Sequence, residues 1–234
     1  MRKTILRLLG MPTWKPTYSE DGLHTNHWCG FLHDPAFTGA YEACTQAEGG
    51  EHHFHQWRLA TVLWAAQVGA RLNGDLIQCG VHLGGGAAAI LRAIPQGKLL
   101  WLFDTFRPVP GTTGKGSPAR EDTYAHVQSL LGAIPGVRLV PGTLPGTLRA
   151  VPIQKIGFLH LDLNVTPEEV QCMEILWPKM VPGAVAVLES YAFPGLEPCN
   201  QTLGEWTRQQ QVPILTLPTG QGLLIKEASW QTQE

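Results

Sequence analysis

From Asp75 onward, short apolar runs alternate with turns rich in Gly or Pro and with segments able to form helix. This alternation constrains the fold more than any other feature, because strands joined through helical crossovers pair in parallel. The runs are Leu76 to Val81, Leu99 to Phe103, Val137 to Val140, Ile156 to Leu163, Ala184 to Leu188, Ile214 to Leu217 and Leu223 to Ile225. Helices are predicted at Gly86 to Ala93 and at Pro167 to Trp177, where Pro167 sits near the first turn and Glu168 and Glu169 favour the positive end. Only Pro218, Thr219, Gly220 and Gln221 separate the last two runs, too few for a parallel crossover, so these must form an antiparallel hairpin. The expected fold is a doubly wound α/β domain with a mostly parallel seven-stranded sheet that closes on a C-terminal antiparallel hairpin.

Ahead of this region the chain is less periodic. Scattered His, Trp and Pro up to about Gly50 suggest an N-terminal extension, 1–50, covering an acceptor site ahead of a domain at 51–234. His52, His53 and His55 lead into a helical stretch whose Leu59, Val62, Leu63 and Ala66 share one face. No Cys or carboxylate completes a zinc spacing around these histidines, which are read as helix-start residues. Arg58 follows on the same stretch and reads as one end of a surface salt bridge.

Composition narrows the function. A 44% hydrophobic, 15% charged chain suits an apolar enzyme core. A net charge of -2 without blocks of either sign gives no footprint for nucleic acid or an anionic membrane, and leaves a small molecule as the expected partner. Five cysteines, an odd number without a Cys-x-x-Cys pair, argue against a disulfide framework or a zinc ribbon and fit a reducing cytoplasm. The apolar start is interrupted at Arg7 and ended by Pro12, too early for a secretory leader, and no apolar stretch is long enough to span a bilayer.

The chemistry concentrates at the first turn of the alternating region, Gln78-Cys79-Gly80-Val81-His82-Leu83-Gly84-Gly85. Glycines there let the backbone approach a ligand. Asp104 ends the next strand about 20 residues later, where a carboxylate can accept from ribose hydroxyls, although it could instead cap a loop. The spacing Gly80-x-x-x-Gly84 lacks the G-x-G-x-x-G pattern of a dinucleotide pyrophosphate site. A nucleoside cofactor without a phosphate to cradle, S-adenosylmethionine, fits better. The candidate cofactor contacts are Gln78, Gly80, Val81, Gly84, Asp104, Thr105 and Thr143.

In order and approximate spacing, Gln78 to Gly85, Phe103-Asp104-Thr105-Phe106, Gly142-Thr143-Leu144-Pro145, Leu159 to Asn164 and Leu188-Glu189-Ser190-Tyr191 resemble the macrocin O-methyltransferase family. The resemblance runs from about His55 to the hairpin, and it matches Arg58 loosely to a family arginine position, beside the plainer account of Arg58 as a surface salt bridge. It implies a Rossmann-like class I methyltransferase fold, a homo-oligomer, and metal-assisted transfer of a methyl group from S-adenosylmethionine to a hydroxyl, often on a natural-product sugar. The family pattern places Mg2+ on hard oxygen ligands at strand ends, which here would be Asp162, Glu189 and Ser190.

Three residues depart from that pattern. The fourth-strand motif usually carries two aspartates, but the second is Asn164; the fifth-strand motif usually reads Asp-Asp-Tyr, but here it is Glu189-Ser190-Tyr191. Asn cannot accept a proton at neutral pH, and a hydroxyl is a weaker magnesium ligand than a carboxylate. Asp162 and His160, which share a strand face, remain as candidate catalytic groups, with a core histidine bonded to backbone as the plainer account of His160. Arg107 to Pro118, beside Asp104, reads as a lid or as a tolerated surface insertion. The expected function is O-methylation of a small hydroxylated acceptor, with a metal-independent methyltransferase or a cofactor-binding pseudoenzyme as the alternative.

Overall fold

The structure is a computed structural model, described over residues 16–50, 55–107, 123–163 and 168–227. A small ribbon, β1 (Tyr18–Glu20) and β2 (Leu23–Thr25), precedes helices α1 (Pro35–Ala47) and α2 (Gln56–Ala70). Then follow β3 (Asp75–Cys79), α3 (Gly85–Ala93), β4 (Leu100–Asp104), α4 (Thr123–Leu131), β5 (Val137–Pro141), β6 (Ile156–Leu161), α5 (Glu168–Leu176), β7 (Met180–Leu188), α6 (Glu197–Gln209), β8 (Leu215–Thr216) and β9 (Gly222–Ile225).

Seven strands form one sheet in the order β5-β4-β3-β6-β7-β9-β8. β3 to β7 pair in parallel, and β9 runs antiparallel between β7 and β8, as the four-residue link requires. This is the Rossmann-like methyltransferase fold. Strand limits differ from the apolar runs at the edges. β7 starts at Met180 rather than Ala184 because Met180 pairs with Ile156. β8 keeps only two residues, with Leu215 60% exposed at the sheet margin.

Period-two alternation sorts the strand side chains onto two covered faces. Leu76, Leu102, Phe158, Val185 and Val187 pack with α1, α2 and α3. Ile77, Phe103, Leu159, Ala186 and Leu188 pack with Met173 and Leu176 of α5 and Trp206 of α6. Burial on both sides explains why β6 and residues 184–188 read as unbroken apolar runs. The face of α2 foreseen from its spacing, Leu59, Val62, Leu63 and Ala66, is buried. Helix and strand touch most closely at Gly69 and Gly157, where a Cβ on either would overlap the other's carbonyl.

The N-terminal segment contributes to this core. Asp34 caps α1 by accepting from the Ala36 N–H at 2.9 Å, and Pro35 supplies the preset φ of the first turn. Phe37, Ala40 and Cys44 then bury themselves in the cluster that holds α2 and α3. Among the described residues no helix is long and apolar enough to cross a membrane.

The chain builds outward from β3 through β4 to β5, then crosses back to lay β6 on the other flank of β3. That reversal opens a crevice at the carboxyl ends of β3 and β6, where open α/β sheets bind ligands. A cavity of about 390 Å³ at the opposite edge, lined by Asn73, Asp75, Lys98 and Lys155 among others, lies at the amino ends of the strands and away from the chemistry.

Candidate cofactor and reaction site

The turn after β3 is held by carboxylates from two directions. Gly80 takes φ +88°, and a Cβ there would overlap the Asp162 carbonyl, so this position tolerates only glycine. His82 also lies in the left-handed region at φ +53°. The strain is offset by Asp104, whose Oδ2 accepts from the Val81 N–H at 2.7 Å and the His82 N–H at 3.0 Å. Asp104 Oδ1 accepts from the Phe106 N–H at 2.8 Å. From the other side Glu48, buried at the end of α1, accepts from the Gly85 N–H at 2.9 Å and meets His82 Nδ1 at 3.0 Å. The Glu48 hydrogen bond raises the His82 pKa, against the opposing pull of burial. Its carboxylate also sits at the positive end of α3.

Gln78 lies beside the turn with its amide donating to the Gly80 carbonyl at 3.0 Å, while its Oε1 is buried without a partner. An orphaned acceptor next to a glycine cradle fits a ligand that brings a donor, as the ammonium of S-adenosylmethionine does. Asp104 fits too: of the four or so lone-pair sites of its carboxylate, three are taken by backbone N–H groups and the fourth by the long, 3.4 Å bond from the Thr105 hydroxyl, a surface side chain that a ligand hydroxyl can displace. The structure thus brings Gln78, Gly80, Val81, Gly84, Asp104 and Thr105 together. Thr143 lies on the adjoining loop, where the Gly142 N–H donates to the Asp104 carbonyl at 2.9 Å. Thr105 and Thr143 are exposed.

Across the crevice, Glu189 follows β7 with its carboxylate fully engaged. Oε1 accepts from Arg58 Nε at 2.7 Å and pairs with Arg58 Nη2 at 2.6 Å; Oε2 takes Gln221 Nε2 at 2.8 Å and His160 Nε2 at 3.0 Å. Gln221 is fixed in turn by Thr219 Oγ1 at 3.0 Å and by the Arg58 carbonyl at 3.1 Å. The Arg58 guanidinium also lies over the Phe193 ring, 4.5 Å from its centroid. Burial alone would raise the Glu189 pKa, but the His160 hydrogen bond and charge, Arg58 and Gln221 outweigh it and bring it down to about 2. Asp162, one strand over, moves the other way: burial, then the Glu189 charge, push it up to about 6 against the pull of His160 and Arg58.

This geometry weighs against two expectations. A magnesium ion needs oxygens with lone pairs to spare, and all four Glu189 sites are occupied by donors, two of them nitrogens of a guanidinium whose charge would repel a dication. Glu189 therefore does not fit as a Mg2+ ligand beside Asp162 and Ser190, and among the described residues no group of three or more His, Cys, Asp or Glu could hold a metal. His160 is not a base for an acceptor: it is 0% exposed, its Nε2 is committed to Glu189, and its Nδ1 has no partner. It orients Glu189 instead. Arg58, read from sequence as a surface ion pair, is the buried centre of this cluster, and Glu48 and Gln221 gave no sequence signal. His55 is the N-cap of α2. His52, His53, Pro108 to Pro118, Asn164 and Pro167 lie outside the described residues.

Comparison with known proteins agrees with the fold. Residues 77–191, from β3 to just past β7, match a family model described as a methyltransferase domain. The chain is 23% identical over 153 residues to 8-demethyl-8-(2,3-dimethoxy-alpha-L-rhamnosyl)-tetracenomycin-C 4'-O-methyltransferase of Streptomyces olivaceus, covering 57% of this chain and 58% of that protein. It is 22% identical over 155 residues to mycinamicin III 3''-O-methyltransferase of Micromonospora griseorubida, covering 57% and 60%. The aligned part thus spans less than two thirds of either relative. Among solved structures the O-methyltransferase NovP superposes with a TM-score of 0.64 at 20% identity, over 76% of this chain and 84% of that one. The chain thus has the Rossmann-like class I methyltransferase fold, and its central part is similar to a methyltransferase domain and to natural-product O-methyltransferases.

Proposed function

We propose that this protein transfers a methyl group from S-adenosylmethionine to a hydroxyl of a small natural-product acceptor in the cytoplasm, without a divalent metal. The observation that carries the reading is the glycine turn pinned between Asp104 and Glu48, with the orphaned Gln78 Oε1 beside it and Asp162 facing it across the switch point. Relatives that methylate natural products support the acceptor class.

When bound, S-adenosylmethionine supplies an electrophilic methyl on a sulfonium. The chain's own residues do the rest. Gly80 lets the backbone pass against Asp162, which brings the cofactor turn and the reaction edge together. Asp104 holds the turn and accepts from a ribose hydroxyl in place of the weakly bound Thr105 hydroxyl. Asp162 is the proton acceptor: its raised pKa of about 6 leaves it ionised near neutrality yet more basic than an ordinary carboxylate. Glu189, held by four donors, stays charged and does not exchange protons.

The test is formation of S-adenosylhomocysteine over a panel of glycosylated and phenolic natural products, in EDTA. Product with at least one acceptor is expected. A second reading, a cofactor-binding protein without turnover, is favoured by Asn164 and Ser190 at positions where the resembling family carries aspartates; cofactor binding with no product from any acceptor would establish it.

A further inference from the structure

Two carboxylates, Asp162 and Glu189, stand at the ends of adjacent strands β6 and β7, and a site so charged needs a cation. We propose that the guanidinium of Arg58 is that cation: it takes, as a permanent part of the chain, the place of a divalent ion, and its outer edge receives the acceptor oxygen. Three observations converge. Arg58 Nε and Nη2 both engage Glu189 Oε1, the coordination site a metal would use. Phe193 stacks on the guanidinium and the Gln221 amide ties its backbone carbonyl, so neither end can swing away without breaking a second contact. The remaining Nη makes no hydrogen bond to the described residues, and the side chain keeps 12% exposure. It therefore presents unused donors at the carboxyl edge of the sheet, where the acceptor must lie.

The arrangement accounts for the departure at Ser190. Once a guanidinium neutralises Glu189, an aspartate at 190 would add negative charge with no ion to balance it, and Ser190 relieves that repulsion. Only the role toward the acceptor rests on the methyl-transfer reading; the displacement of the metal does not.

The test is calorimetric titration of the full chain with MgCl2 and MnCl2, with neither cofactor nor acceptor present. Wild type should show no saturable binding at millimolar metal. Arg58→Ala vacates the position and should bind Mn2+ at least about tenfold more tightly than wild type, whereas Arg58→Lys, which keeps a positive charge, should not. If Arg58→Ala does not fold, Arg58→Gln replaces it, and the wild-type titration stands alone. Saturable Mg2+ or Mn2+ binding in wild type that Glu189→Gln abolishes would overturn the proposal, as would a folded Arg58→Ala or Arg58→Gln that gains no metal affinity. Because these titrations involve no turnover, a lack of product from every acceptor would count against the proposed reaction and not against the cation.

Discussion

Glu48 and Gly85, 37 residues apart, meet in a buried 2.9 Å hydrogen bond that fastens the end of α1 to the start of α3. Through it the N-terminal segment sets the shape of the cofactor turn. Glu48→Ala should lose about 2 kcal/mol of stability, the worth of a charge-assisted bond at a helix N-terminus, and weaken binding of S-adenosylhomocysteine as well. Urea unfolding and calorimetry check the two effects. Equal stability and affinity in the variant would show that the turn stands without its N-terminal support.

Glu189→Gln should be the most damaging single change in the reaction edge. It leaves Arg58 buried against a neutral amide, and breaking a buried pair in this way costs roughly 3 to 5 kcal/mol. The pH dependence follows from the lowered pKa. Glu189 falls from an ordinary 4.5 to about 2, so its contribution is present above about 4.5 and lost as pH falls through about 2. Urea denaturation between pH 7 and 2.5 should show a loss of stability on acidification that shrinks in Glu189→Gln. An undiminished acid dependence in the variant would assign it to other groups.

For Asp162 the sign is opposite. Its folded pKa, about 6, exceeds the ordinary 3.8, so the unfolded chain ionises first. The stability associated with its protonated form is present below about 3.8 and lost as pH rises through about 6. Asp162→Asn should therefore stabilise the protein at pH 8, by roughly 1 to 3 kcal/mol, and have little effect at pH 3.5. The same variant should lower turnover by about 10² to 10⁴-fold. A destabilised Asp162→Asn that keeps full activity would remove Asp162 as the base.

The strands, their mostly parallel pairing and the closing hairpin were legible because their signals are local: apolar runs of strand length, turn residues between them, and a link of four residues that only a hairpin can use. The turn and Asp104 were legible for the same reason. What sequence spacing did not show were contacts across long separations. Arg58 and Glu189 are 131 residues apart, and a single arginine on an amphipathic helix reads as solvated until its partner is placed. Glu48 looks like any carboxylate at a helix end. The burial pattern of α1, Phe37, Ala40, Cys44 and Ala47, does carry a helical period behind an Asp-Pro start, but the surrounding His, Trp and Pro obscured it. His160 and Asp162 share a strand face as expected, yet that relation could not show that Glu189 seals one of them.

Occupation of the turn between Gly80 and Asp104 by S-adenosylmethionine is tested most directly by calorimetric titration with S-adenosylhomocysteine. Wild type should bind at one saturable site per chain. Asp104→Ala removes the carboxylate that holds the Val81 and His82 N–H groups and that we propose receives the ribose, and should weaken binding by roughly 1.5 to 3 kcal/mol while the chain remains folded. A folded wild-type protein that takes up no S-adenosylhomocysteine, or an Asp104→Ala variant with unchanged affinity, would contradict the placement of the cofactor at this turn.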